Sequence, residues 1–426
     1  MHYTLKIFII LFFVMLAYFT KPITIHIYHD RASMPTFLQS IDFIKKSKNE
    51  QKIVFWNRIN KHIKDREKYS NTFFAFHYDE IMMKINEILK KHKNAQAILH
   101  FNIHHSYILR DIRKEFPKLK IKELHMYEDA SQYVWYHTGG DNCLLNQELN
   151  AKKTLYMWGN VNHLCNKENP HKRCPFIQKI QKYINIKEID IQKLASSLSE
   201  DEKKKIFELQ GVDYQYYKNN LKDKKTAIYV LAYTSTSPLQ SAQLVALKDM
   251  CEKYSDHQWF YKYHPNGVLK PHHQVLNKLC PNIKPLEAHI PFELLNLTNE
   301  NIKVAGMGSS LFYNQKNKNI IAYIQQGDND LYLPMLKRVG LVTKNNLYSM
   351  DIVNKKLKEL NALKIVYPNY TIETIQFTND TYTNIYGGTD YKILERDENT
   401  IKLQDSVEPK RIFTIKRQPH NFWKEE

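Results

Sequence analysis

The sequence predicts an α/β protein of two Rossmann-like domains with a small β-rich appendage at its C-terminal end. Three observations carry that expectation. Strands alternate with helices in two separate runs, a charged helical stretch divides the runs, and the composition changes character from residue 362. A chain of 426 residues is also too long for one ordinary core, which favours two domains.

Residues 7–19 (IFIILFFVMLAYF) are uninterrupted apolar, bounded by Lys6 and Lys21. The run falls short of the ~20 residues that span a bilayer comfortably, and no small-residue cleavage site follows it. Residues 1–20 are therefore expected to form an anchor or signal-like segment that dips into a membrane.

From Ile23, ITIHIYHD reads as a first strand, ended by Asp30 and a loop with Ser33 and Pro35. KIVFW (52–56) and AILHFNIH (97–104) are further strands, apolar or alternating and bounded by polar residues. DEIMMKINEILKKHK (79–93) places apolar residues at helical spacing between them. Alternation over 119–127 gives another strand, ending in Glu128 and Asp129. Strands alternating with helices predict a largely parallel sheet with covered faces, here a domain over 21–225. Its last part, 181–223, is rich in Lys, Glu and Asp at helical spacing, and Ser199 with Glu202 makes a capping box. Surface helices there should lead to a linker near Asp223.

The second run comprises TAIYVLAY (226–233), a helix from Leu239 to Tyr254, QWFYKY (258–263), IKVAGMG (302–308) and NIIAYI (319–324). It defines a domain over 226–361. Residues 362–426 then carry short Thr/Tyr/Ile-rich strands separated by TND, GGTD and RDEN turns.

Composition narrows the function. With 43% hydrophobic and 25% charged residues the chain folds. Glycines number 11, and neither GxxxxGK[ST] nor GxGxxG occurs, so a phosphate site here is not a Gly-rich loop. The net charge of +18 is spread along the chain without zinc-finger, RRM or basic-arm patterning, so nucleic acid is not the expected partner. A diffuse basic excess suits an anionic membrane surface, each basic residue near it adding about 1 kcal/mol. Five cysteines form no CxxC pair, and the odd count argues against a secreted disulfide framework. His163, Cys165, His171 and Cys174 match no standard zinc knuckle, and no metal is expected.

Three loops follow predicted strands, where open α/β sheets bind ligands. In Tyr127-Glu128-Asp129-Ala130-Ser131, adjacent carboxylates past a buried strand offer one acid to a crevice as a general base; helix capping is the plainer alternative. In Lys262-Tyr263-His264-Pro265, the imidazole sits at a sheet edge beside a cation, suited to donating to a leaving phosphate oxygen. In Gly306-Met307-Gly308-Ser309-Ser310, a strand runs into a helix (LFYNQ). Its small residues admit an anion to backbone amides, and its hydroxyls add donors.

These segments together resemble glycosyltransferase family 80, the bacterial sialyltransferases. The similarity runs from about Ile23 to Leu360 through ITIHIYHDRASMP, HFNIHHS, LHMYEDASQYV, YKYHP, IPFELL and VAGMGSSLFY, in that order. The resemblance implies a GT-B fold of two facing Rossmann-like domains. It also implies metal-independent transfer with inversion, CMP-sialic acid as donor, and no cofactor. Asp129 matches the family's general base and His264 its acid or phosphate-stabilising residue. Lys262 and Glu293 fall on nucleoside contacts, Ser309 and Ser310 on phosphate contacts, and His105 on the acceptor side. Four positions depart from the pattern. Ala130 replaces a glycine, Ala232 stands near an expected glycine, and Thr236 stands near an expected acceptor-stacking tryptophan. Asn266 stands where an acceptor-contacting arginine is expected. The implied acceptor is a galactoside of a surface glycan such as lipooligosaccharide, with the enzyme at the bacterial inner membrane facing the cytoplasm. The alternatives are transfer of another CMP-activated acidic sugar such as Kdo, or a non-catalytic glycan- or membrane-binding protein of the same fold.

Overall fold

Two parallel sheets organise the chain in a computed structural model. It describes residues 22–425 apart from 32, 129–149, 159–181, 223, 232–236, 265–269, 328–329, 331, 360–362, 367–370, 408–409 and 420–421. The expected anchor, 1–20, lies outside the described residues, as do Asp129, Ala130, Ala232, Thr236, Asn266 and the His163–Cys174 segment.

The first sheet contains β1 (Thr24–Asp30), β2 (Gln51–Trp56), β3 (Thr72–Phe74), β4 (Gln96–Asn102), β5 (Lys120–Tyr127), β6 (Lys152–Trp158) and β7 (Asn185–Ile189). Their order is β3-β2-β1-β4-β5-β6-β7, parallel throughout. The second contains β8 (Thr226–Leu231), β9 (Gln258–Tyr263), β10 (Lys284–Leu286), β11 (Lys303–Met307), β12 (Ile320–Ile324) and β13 (Leu347–Tyr348), in the order β10-β9-β8-β11-β12-β13. Each order is that of a doubly wound sheet, whose direction of winding reverses beside its first strand. The central strands are buried along nearly their whole length, as β1 and β8 show. Helices covering both faces require this.

Five described strands of the two sheets escape the sequence expectation. β3, β10 and β13 are only two or three residues long. β6 opens on two lysines, and β7 is a largely solvated edge strand, so charge masks the alternation of both. The stretch expected to be helical from 181 thus begins with β7 and only then turns into helices 191–197, 200–209 and 214–221. The Ser199–Glu202 capping box forms as expected, with both reciprocal bonds present.

The chain divides into two compact units, Met1–Tyr217 with His289–Leu297, and Lys218–Ala288 with Thr298–Glu426. The second-domain range expected from sequence therefore includes a segment that packs with the first unit. There a short helix, Phe292–Leu295, lies against the helix Ser33–Lys45, and His289 stacks on His62 with ring centroids 3.9 Å apart. Three apolar side chains of that short helix, Phe292, Leu294 and Leu295, are buried, which explains why the segment leaves its sequence neighbours.

The β-rich tail closes into a barrel of seven strands between Leu363 and Glu425, its first strand pairing with its last. Its strands turn at the expected TND, GGTD and RDEN segments. The barrel is docked within the second unit. Ile375 and Ile385 join the core of the second sheet, and Lys278 pairs with Asp390 at 2.5 Å.

Among the described residues Cys251 and Cys280 are bonded, against the sequence expectation. Cys251, on the helix Ser237–Lys253, meets Cys280 after the helix His273–Leu279 with a Cα–Cα distance of 5.5 Å. The two helices pack together, which brings the pair within bridging range. Such bonds persist in oxidising compartments; in a reducing cytoplasm the pair would stand as two buried thiols.

Candidate functional site

In the first unit the carboxyl ends of β1, β4 and β5 lie side by side at one edge of the sheet, where a buried polar cluster surrounds the candidate His105. β1 ends in Asp30, whose carboxylate is fully buried. It accepts from the Arg31 amide at 2.7 Å and from Gln39 Nε2 at 3.2 Å. Gln39 is held in turn by Trp56 Nε1 at 2.7 Å. β4 ends in a 3₁₀ turn over Ile103–His105, and His105 Nδ1 stands 3.6 Å from Asp30 Oδ1. Its ring meets those of His29 and Tyr107 edge-on, at 5.7 and 5.9 Å. Tyr107 also lies 3.4 Å by its hydroxyl from His29 Nε2, and Arg31 sits over the Tyr107 ring. Burial, followed by the charges of His105 and Arg31, pushes His29 down to about 3, so that ring is neutral near pH 7.

His105, singled out from sequence, is thus the partly exposed member of a cluster whose buried anchor is Asp30. The sequence carried a signal for Asp30, an acid at the end of a buried parallel strand. Gln39 and Tyr107 left none, because each acts only through the register of a neighbouring helix.

β5 ends at Tyr127, and Glu128 follows with its backbone amide bonded to Tyr156 O at 3.0 Å and its side chain fully buried. Of the two adjacent acids, Glu128 is therefore committed to the interior. Asp129, the candidate base, lies just beyond the described residues.

In the second unit, His264 follows β9 directly, and its amide is bonded to Leu231 O at the end of β8. Its side chain is half-buried. Lys262 is buried, with Nζ donating to Ala288 O at 2.9 Å, so its ammonium ties two segments of the unit together. Ser309 follows β11, and one strand, β8, separates β9 from β11. With strands about 4.8 Å apart, the ends of β9 and β11 lie about 10 Å from each other along one edge.

Glycine is required where that third loop leaves the sheet. Gly306 has φ +153°, and a Cβ there would lie 2.4 Å from Val230 O. Gly308 accepts from Gln326 Nε2 at 3.2 Å, and a Cβ would meet the same side chain at 2.8 Å. The helix expected after the loop is instead a 3₁₀ turn, Ser310–Asn314. Ser309 caps it, its hydroxyl oxygen accepting from Leu311 N at 3.4 Å. Five residues of 3₁₀ turn carry little of a helix macrodipole, so an anion there would rely on hydroxyl and amide donors. Lys262, His264 and Ser309 are brought to one unit, while Glu293, 3% exposed, belongs to the segment that joins the other.

No family model matches the chain, and no curated protein does. Solved structures do share its fold. The α/β-galactoside α-2,3-sialyltransferase of Photobacterium phosphoreum superposes with a TM-score of 0.61 at 18% identity, over 78% of this chain and 99% of that one. A sialyltransferase of Photobacterium damsela gives 0.58 at 17% identity, over 77% and 81%. A 2,6-sialyltransferase of another Photobacterium, solved with CMP and lactose, gives 0.59 at 16% identity, over 77% and 78%. The chain thus has the GT-B fold of these bacterial sialyltransferases.

Proposed function

We propose that the protein is an inverting, metal-independent sialyltransferase that moves sialic acid from CMP-sialic acid to a galactoside of a surface glycan such as lipooligosaccharide. One observation supports this above the others. The motif-bearing loops leave the carboxyl ends of β5, β9 and β11, the edge at which doubly wound sheets bind ligands. The fold neighbour solved with CMP and lactose holds a nucleotide and a galactoside of the proposed classes.

In this proposal Asp129 of the first unit takes the proton of an acceptor hydroxyl as it attacks the anomeric carbon. His264 of the second unit protonates or stabilises the departing phosphate. Ser309 and Ser310 donate to that phosphate, Lys262 and Glu293 hold the nucleoside, and His105 and Asn266 line the acceptor side. Donors placed where charge develops suffice for a phosphate leaving group. Lys262 would act through the segment it ties, since its ammonium already serves Ala288 O.

Replacing Ser309 and Ser310 together by alanine should weaken CMP binding, because two charge-assisted hydrogen bonds of roughly 1.5–3 kcal/mol each are lost. Calorimetry showing unchanged CMP affinity would place the phosphate elsewhere. The protein is further proposed to sit at the inner membrane, facing the cytoplasm. No described helix is long and apolar enough to cross a membrane, which leaves residues 1–20 as the proposed anchor. Deleting them should move the protein to the soluble fraction at high ionic strength, where attraction of the basic surface to anionic lipid is screened. Membrane retention under those conditions would contradict the anchor.

A further inference from the structure

We propose that His26, His100 and Asp42 form a binding site for one divalent transition-metal ion of the zinc class inside the first unit. His26 on β1 and His100 on β4 share one face of the sheet, and Asp42 reaches them from the helix Ser33–Lys45. His26 Nδ1 lies 3.2 Å from His100 Nε2, and His100 Nε2 lies 3.6 Å from Asp42 Oδ2. One donor atom from each of the three falls within 4.8 Å of the others. Ligands held about 2.0–2.1 Å from a tetrahedral zinc stand about 3.3 Å from each other, so closing the widest separation by at most about 1.5 Å would complete the set.

The surroundings are those that metal-binding imidazoles require. A ligating histidine directs its second nitrogen to a carboxylate or another polar group, which fixes tautomer and orientation. His26 Nε2 faces Glu50 Oε1 at 3.5 Å, and His100 Nδ1 faces the Tyr127 hydroxyl at 3.2 Å. Asp42 is oriented likewise, Oδ2 accepting from the Tyr28 hydroxyl at 2.9 Å and Oδ1 pairing with Lys46 at 3.3 Å. Burial lowers His26 to about 4 and His100 well below its ordinary value, so both rings are neutral at pH 7, the form that binds metal. The two rings are almost fully buried, whereas the Asp42 side chain is 21% exposed, which opens one side to an entering ion and a water ligand.

Two imidazoles with one carboxylate select zinc-like ions over magnesium or calcium, which prefer oxygen alone. His125 stacks on His100 at 4.7 Å but turns its nitrogens to Tyr156 and Glu123, so it is not a ligand. The competing arrangement is a metal-free hydrogen-bonded chain from Glu50 through His26 and His100 to Tyr127.

The test uses the full-length protein, stripped with a chelator and titrated with Zn(II) by calorimetry and with Co(II) by visible absorption. The expected result is a single equivalent bound, with the ligand-field bands of a four-coordinate site. Asp42→Asn, at the exposed rim, should abolish those bands while circular dichroism shows a folded protein. Glu50→Gln leaves all three donors and should weaken zinc about 10–100-fold. Wild-type protein without zinc heat or cobalt bands would overturn the site in favour of the hydrogen-bonded chain. Cobalt bands that persist unchanged in folded Asp42→Asn would overturn it in favour of binding elsewhere.

Discussion

Asp129→Ala is expected to lower transfer by about 10²–10⁴-fold, the usual cost of removing a general base, while CMP binding stays nearly intact. The base is proposed to act on the acceptor hydroxyl, which the nucleotide does not touch. The adjacent acid cannot take over, because Glu128 is fully buried and its backbone is bonded into the sheet. The measurement is turnover of CMP-sialic acid on a galactoside, with CMP affinity by calorimetry beside it. Near wild-type turnover would remove Asp129 from the mechanism and favour its reading as a helix cap.

The second large effect is acid lability of the first unit. His26, His29 and His100 are buried, with ordinary values lowered to about 4, to about 3 and well downward, in each case chiefly by desolvation. Above about pH 6.5 folded and unfolded chains both hold these rings neutral, and stability does not depend on them. Below it the unfolded chain binds protons that the folded chain refuses, so stability falls with pH until the folded values are reached. Each ring then contributes about 1.4 kcal/mol per pH unit. Three rings over two pH units amount to at most on the order of 8 kcal/mol, comparable to the whole stability of a domain. With a chelator present, amide protection in β1 and β4 is expected to collapse between pH 6 and 4. Hydrogen exchange followed by mass spectrometry would detect this, and protection unchanged at pH 4 would contradict the neutral buried state.

Much of the fold was legible because the central strands are buried on both faces and therefore apolar enough to stand out. QWFYKY matches β9 residue for residue, and the tail's turns fall where TND, GGTD and RDEN predict. β7 was not legible, since charged residues on a solvated edge strand imitate a surface helix, and β6 was not, since it opens on two lysines. Nor was the passage of His289–Leu297 to the first unit, which depends on a distant helix and not on local pattern. The candidates His264 and Ser309 stand out in sequence because short motifs end at strand boundaries, and the structure places both just past strand ends. Asp30 was visible only as the end of a strand, and its partners Gln39 and Tyr107 emerge from tertiary register alone. The Cys251–Cys280 pairing was hidden for the same reason, being set by how two helices pack.

The proposed reaction is transfer of sialic acid from its CMP-activated form. The most direct measurement incubates the purified protein with CMP-sialic acid and a panel of galactosides and identifies the products by mass spectrometry. The expected product is a sialylated galactoside, with CMP released in equal amount and with no divalent metal added. No sialylated product on any galactoside, or a product formed only when CMP-Kdo replaces CMP-sialic acid, would contradict it.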